Sequence, residues 1–388
     1  MNRNSAPDDV AAIIRGAALK RIVLFSGGSA CRSINLALCG NAHLTRVVPS
    51  WDSGGSSKLI REKVGLLAVG DLRQALMTMA HGEGRAGDVV KICNARLSSN
   101  LGMDVARAEF QFYSEARHPL LERMHPGLRG AILNYLKTFA STVGAGFDYR
   151  NGSIGNFILA GACLAHNGDI NTAVFVFRKL CSVVGDVWTS SLENDLVLTA
   201  TLKNGRKIER QDAITKLSED EATIGIDYVE LSRTSNDRPK ANPAALEALA
   251  NADLIAFGPG SVFTSLLPHL QIQEIATTLL KVNCPRVWIG NILQCPETTD
   301  LKLGDILRAC RSQWQRDDRS RRQLLTHVLA NRVLFPFEKT VGAFPYLSHE
   351  TDDCDQPAVI IGEYEDAWNR GQHDGKAIAN ALREIAAS

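Results

Sequence analysis

The chain has 388 residues, 45% of them hydrophobic and 22% charged, with 43 basic side chains against 42 acidic ones. Such a length builds a substantial core in one domain or two, and the ordinary balance excludes a disordered or fibrous chain. A net charge of +1 supplies no overall field for nucleic acid or an anionic membrane, so neither is expected as a partner.

At the N-terminus, residues 1–20 read as a helical extension whose apolar stretch is broken by Arg15 and Lys20, without the pattern of a signal peptide. No uncharged apolar run reaches the roughly 20 residues that span a bilayer. The nine cysteines are scattered and contain no C-x-x-C pair, which suits reduced thiols and a cytoplasmic location.

RIVLFSGG (21–28) predicts a strand stopped by glycines, and CRSINLALCG predicts a helix with Cys31, Ile34 and Leu38 on one face. HLTRVVPS is the next strand. A helix then begins near Asp71, where Leu72, Ala75, Leu76 and Met79 form an apolar stripe and Asp71 suits the N-cap. Residues from about 97 to 147 read as a helical insertion. Ser153 opens a further helix and Asn167-Gly168 closes it.

LVLTATLKNGRKIER carries the Asn-Gly hairpin signal, so an antiparallel excursion is expected between about 187 and 231. DLIAFGPGS and RVWIGN restore the pattern of a strand ending in a polar turn. An acidic tail and a terminal helix from about Asp374 occupy 349–388, after a main domain at 21–348. Strands alternating with helices define an α/β chain with a mainly parallel sheet covered by helices.

Ligands of such sheets bind beyond the carboxyl ends of the strands, near a topological switch point. Four segments fall at strand ends: Ser26-Gly27-Gly28-Ser29, the loop from Trp51 to Ser57, Gly258-Pro259-Gly260-Ser261, and Gly290-Asn291. Glycine turns there point backbone N–H groups at an anion, and Ser261 suits a helix cap. Asp52 can accept from a ribose, a substrate hydroxyl or a metal-bound water, or close an Asx-turn on its own backbone. Arg73 can reach a phosphate or lie solvated. No G-x-S-x-G elbow and no H-x-x-x-H pair are present, which argues against an α/β-hydrolase or a zinc hydrolase. His269, beside the third loop, reads as structural.

Taken in order, FSGGSACRSI, WDSGGSSKLIRE, VGDLRQAL, RNGSIGNFILAG, FGPGSVFTSLLPHL and IGNILQCPETTD resemble the 2-phospho-L-lactate transferase (CofD) family. The likeness is closest to the bacterial branch that holds the gluconeogenesis factors, and it runs from about Arg21 to Asp300. It implies a Rossmann-like three-layer α/β/α fold that holds a nucleotide-containing ligand. In the transferase branch a nucleotide-linked phospholactate passes its phosphoester to an alcohol with magnesium assisting; in the other branch the cleft holds a UDP-sugar. The resemblance places Gly27, Gly28 and Ser29 against the ligand, has Gly258, Gly260 and Ser261 cradle its phosphates, and puts Asn156 and Asn291 in the same cleft. Asp52 becomes the catalytic candidate, with Trp51, Ser53 and Gly54 on the acceptor side. Ser53 stands where the branch carries a second loop carboxylate, and Trp51 replaces a small residue and can stack on a ring or fill the cleft. No tightly bound organic cofactor is implied, and a homodimer is compatible with the sequence.

Overall fold

The computed structural model describes residues 19–28, 31–81, 86–315, 323–333, 340–351 and 357–388. Residues 1–18 of the expected N-terminal extension, Ser29, and the basic run at 316–322 lie outside the described residues.

The chain opens with β1 (Arg21–Phe25), α1 (Arg32–Leu38) and β2 (His43–Val48). A run of helices follows: α2 (Gly55–Val64), α3 (Gly70–Met79), α4 (Gly87–Asn94), α5 (Met103–Ser114), α6 (Pro126–Val143), α7 (Ile154–Ala165) and α8 (Ile170–Cys181). Then come β3 (Asp186–Thr189), the antiparallel strands β4 (Leu196–Leu202), β5 (Lys207–Glu209) and β6 (Ile226–Arg233), and α9 (Pro243–Ala250). The sheet resumes with β7 (Leu254–Phe257), α10 (Gln273–Lys281), β8 (Arg286–Ile289), α11 (Leu303–Gln315) and β9 (His327–Asn331). It ends with β10 (Ala358–Gly362) and α12 (Gly375–Ala387).

Seven strands form one sheet in the order β10-β9-β8-β7-β1-β2-β3, and every neighbouring pair is parallel. Ile22 of β1 faces Leu44 on one side and Leu254 on the other. The chain therefore leaves β1 outward toward β3 and returns to β7 before running outward again. The switch point lies between β1 and β7, where the open-sheet rule places a ligand crevice.

Strand alternation divides the core into two. Ile22, Leu24, Leu44, Ala256, Val287 and Ile289 face the layer built from α1, α3 and α7. Val23, Phe25, Ile255, Phe257 and Trp288 face the other layer, which holds α10, α11 and the β4-β6 sheet. The period-2 pattern of the strands thus yields the three-layer Rossmann-like arrangement. Helix α7 is buried all round from Ile154 to Cys163, and Gly161 lets α6 approach so closely that a Cβ there would lie 2.0 Å from the Tyr135 carbonyl oxygen.

The hairpin forms as its sequence predicts, with Gly205 at φ 86° between β4 and β5. Two boundaries differ. Val187 belongs to the main sheet, so the excursion starts later than expected, at Leu196. The 349–388 segment is no appendage: β10 pairs with β9, and α12 packs on α1, with Gly375 lying against the Ser33 carbonyl. Short strands with few alternations hide such pairing, because only the neighbouring strand tells an edge strand from a loop. No helix among the described residues is long and apolar enough to cross a membrane.

Candidate functional site at the strand ends

The β1 loop is held by an arginine buried in the sheet. Arg46 lies on β2 on the same face as Leu44 and Val48 and has no exposed surface. Its Nη1 donates to the Gly28 carbonyl (3.3 Å) and to Thr78 Oγ1 (3.0 Å); Nη2 donates to Ser26 Oγ (2.5 Å) and to the Gly27 carbonyl. Burial lowers the guanidinium pKa from its ordinary value. With the loop carbonyls tied inward, the Gly27 N–H is left without a partner among the described residues. HLTRVV shows the signal, a charge at a core position in a strand, which pattern reading passed over.

Gly28 is required by closeness. A Cβ there would lie 2.5 Å from the Asp71 Cα and 2.6 Å from its Oδ1. The Gly28 N–H instead supports the Asp71 carboxylate. Asp71 is not the N-cap: α3 begins at Gly70, Val69 occupies the cap, and Asp71 projects from the first turn.

Asp52 meets it from the β2 loop. Its Oδ1 accepts from Gly54 N at 2.9 Å, so the Asx-turn exists, and Ser57 donates to the same carboxylate. Oδ2 lies over Gly70, where a Cβ would come within 2.4 Å of it. Two half-buried carboxylates are thereby brought together. Burial raises the pKa of both, and the nearby Asp212 charge raises that of Asp52 further. Asp71 is pushed up to about 7 by burial first and the Asp52 charge second. Ser53 bonds Asp212 (Oγ to Oδ1 2.6 Å) and ties the loop to the antiparallel excursion.

Arg73 is 4% exposed, not solvated. Its Nε donates to Asn156 Oδ1 (3.0 Å), whose Nδ2 donates to Ser56 Oγ (2.9 Å), a chain linking α3, α7 and α2. No carboxylate among the described residues lies within ion-pair distance of it. Burial and the nearby Arg96 pull its pKa down to about 10. The Asp71 charge acts on it from a distance, without a direct ion pair.

Across the switch point, Gly258 adopts φ 81°, and a Cβ on Gly260 would lie 3.6 Å from Gly27 N. The Asn291 side chain clamps Gly260, accepting from its N–H (3.1 Å) and donating to its carbonyl (3.0 Å). These groups line the crevice with their polar atoms already spent. Ser261 makes no side-chain cap. The buried Glu297 caps the turn at Val262–Leu266 instead, accepting from Phe263 N, Thr264 N (both 3.1 Å) and Thr264 Oγ1 (2.7 Å), with Ser261 also donating to it. The Ser261 N–H remains free among the described residues. Glu297→Gln is expected to lower stability by about 1.5–3 kcal/mol, because one oxygen that accepts two backbone N–H bonds becomes an amide or loses its charge; urea unfolding measures it.

Trp51 is 1% exposed, donates through Nε1 to Thr264 O (2.8 Å) and packs edge-on against His269. It fills the core and leaves no face open to a ring. His269 is fully buried and shares a 2.6 Å bond with Ser190 Oγ, in keeping with a structural role.

Fold and geometry define a Rossmann-like protein with glycine-turn N–H groups and buried charged side chains gathered at its switch point. The 2-phospho-L-lactate transferase CofD family model matches residues 22–343, and the chain belongs to that family. It is 28% identical over 376 residues to a Streptococcus pyogenes protein named "Putative gluconeogenesis factor", covering 94% of this chain and 97% of that one. The "Gluconeogenesis factor" of Listeria monocytogenes is 25% identical, covering 81% and 80%. A Nostoc relative, named like the Streptococcus protein, is 29% identical, and the match spans only 51% of its length. A crystal structure of a UPF0052-family protein from Bacillus halodurans superposes with a TM-score of 0.68 at 20% identity, over 94% of this chain and 99% of that one, and shows the shared fold.

Proposed function

We propose that the crevice binds a nucleoside-diphosphate-linked ligand and moves its phosphoester group (of the 2-phospho-L-lactate type) to an alcohol acceptor. The observation that carries this reading is the Asp52/Asp71 pair beside an Arg73 that makes no direct ion pair among the described residues, with free N–H groups at the switch point. In phosphoryl-type transfer the protein mainly positions groups and neutralises charge. The Gly27 and Ser261 N–H groups hold phosphate oxygens, and Arg73 balances their charge. Asp52, fixed by Gly54, orients the acceptor hydroxyl through Oδ2 and receives its proton.

Magnesium, which the family's chemistry implies, fits the donor set. Asp71 is a half-buried carboxylate repelled by its neighbour, and one or two carboxylates with phosphate oxygens suffice for this ion. Bound there, it would neutralise the diphosphate. Among the described residues no group of three His, Cys, Asp or Glu forms a complete protein cage.

A second reading, a non-catalytic nucleotide-sugar regulator, is supported by the names of the relatives matched over most of their length. One experiment separates the two. The protein is incubated with nucleotide-linked donors, alcohol acceptors and magnesium, and nucleoside monophosphate release and thermal shift are measured together. A ligand at about 100 times its Kd stabilises by roughly 2.7 kcal/mol. Monophosphate release supports transfer; a shift without release supports the regulator; neither effect overturns the crevice as a nucleotide site.

The pair also sets a pH dependence. A carboxyl whose folded pKa is raised binds its proton more tightly folded than unfolded, so its contribution is fully present below the unfolded value and is lost as pH rises. Metal-free protein is expected to lose stability between about pH 4 and pH 7 through Asp71. Magnesium should restore it above that window; urea titrations with and without the ion check both.

A further inference from the structure

The antiparallel excursion reaches the β2 loop through one short turn, Gln211–Ile214, which follows β5. Its mount is rigid. Ile214 is fully buried in the second core, and Arg210, at φ 78°, donates its N–H to the Leu198 carbonyl (2.7 Å). Side chains seldom adopt that backbone region, so the surrounding contacts hold it there. The Arg210 guanidinium grips Asp212 through Nε (3.0 Å to Oδ1) and Nη2 (2.9 Å to Oδ1, 2.8 Å to Oδ2). Asp212 in turn exchanges two bonds with a residue 159 positions away. Ser53 Oγ donates to its Oδ1 (2.6 Å), and its own N–H donates to Ser53 Oγ (3.0 Å).

These bonds decide where Asp52 stands. Its Asx-turn to Gly54 is local, so it keeps the loop's shape and not its place. The place is set by the flanking side chains: Trp51 bonds Thr264 on the β7 side (2.8 Å), and Ser53 bonds Asp212 on the excursion side. Burial works against the Asp212 charge, but Ser53 and Arg210 outweigh it and hold the pKa below its ordinary value. A carboxylate at position 53 would face this anion at bonding distance and be repelled, whereas the hydroxyl supplies a short, charge-assisted donor. The serine of the loop and the aspartate of the excursion are one arrangement.

We infer that Asp212 is a positioning residue of the proposed transfer: through Ser53 it fixes the loop on which Asp52 meets the acceptor hydroxyl. The inference rests on the transfer reading. In that step the acceptor oxygen bonds the phosphorus that carries the lactate, the anhydride bond to the nucleoside monophosphate breaks, and the hydroxyl proton passes to Asp52. Steady-state monophosphate release by the full chain with magnesium tests it. UMP- and GMP-linked 2-phospho-L-lactate are the donors, and glycerol, ribitol and riboflavin the alcohols. Asp212→Ala should lower kcat about 10- to 100-fold, the cost of a small misplacement, and leave the donor KM unchanged because other groups hold the phosphates. Asp212→Asn, which keeps an acceptor for the Ser53 hydroxyl, should recover most of that loss. Ser53→Ala should lower kcat equally, and the double variant no further, because both act through one bond. Parent-like kcat in Asp212→Ala, or single effects that multiply in the double variant, overturns the inference and leaves the transfer reading standing. Should Asp212→Ala fail to fold, Ser53→Ala decides alone, and a parent-like kcat there overturns the inference. If the parent releases no monophosphate with any donor and alcohol, both fall.

Discussion

Asp71→Asn is expected to lower the rate of phosphoester transfer by about 10²-fold or more, the size of one preorganised electrostatic contribution, while raising stability above pH 7. The two effects have one cause. Asp71 is forced beside Asp52 in a half-buried pocket, where the pair's repulsion is useful only when a cation or a transferred proton relieves it. The amide keeps the shape and removes the charge. Magnesium-dependent thermal stabilisation should disappear in this variant, and the loss of stability between pH 4 and 7 should flatten. Unchanged turnover and an unchanged magnesium response would show that Asp71 serves the fold alone. Asp52→Ala is expected to leave the fold intact and to abolish transfer or shift ligand preference; binding and turnover like the parent's would reduce Asp52 to its Asx-turn.

Arg46→Met should cost about 3 kcal/mol of stability and weaken phosphate binding. Methionine matches much of the volume, so the cavity contribution is small. What is lost is the donor to Ser26, Gly27, Gly28 and Thr78 at once, and each buried acceptor left unpaired costs about 1–3 kcal/mol. Removal of an unpaired buried charge returns part of that cost. With the two glycine carbonyls released, the Gly27 N–H no longer points steadily at the ligand. Urea unfolding and pyrophosphate titration on the same variant separate the effects. A variant as stable as the parent, with equal affinity, would mean that packing alone holds the loop.

Local sequence signals were enough for the frame. Apolar runs ending in glycine turns placed β1, β7 and β8, Ser153 and Gly168 bracketed α7, and Asn204-Gly205 marked the hairpin. These signals are local, written in periodicity and in residues with unusual backbone freedom, so they survive without knowledge of neighbours. The same turns, with the family resemblance, pointed to the strand ends as the crevice. How the polar groups are spent depends on contacts between distant segments. Asp71 read as a cap and emerged as the partner of Asp52. Ser261 read as a cap, and a carboxylate 36 positions away, Glu297, caps the turn in its place. Arg46, passed over in the strand pattern, proved to hold the β1 loop, and of the two readings of Trp51, ring contact or filler, the structure shows the filler. The tail read as an appendage, yet it closes the sheet edge. In each case the partner lies far along the chain. A hydrogen bond or a repulsion between distant residues leaves no trace in local periodicity, because it exists only after the sheet has folded and brought the strand ends together.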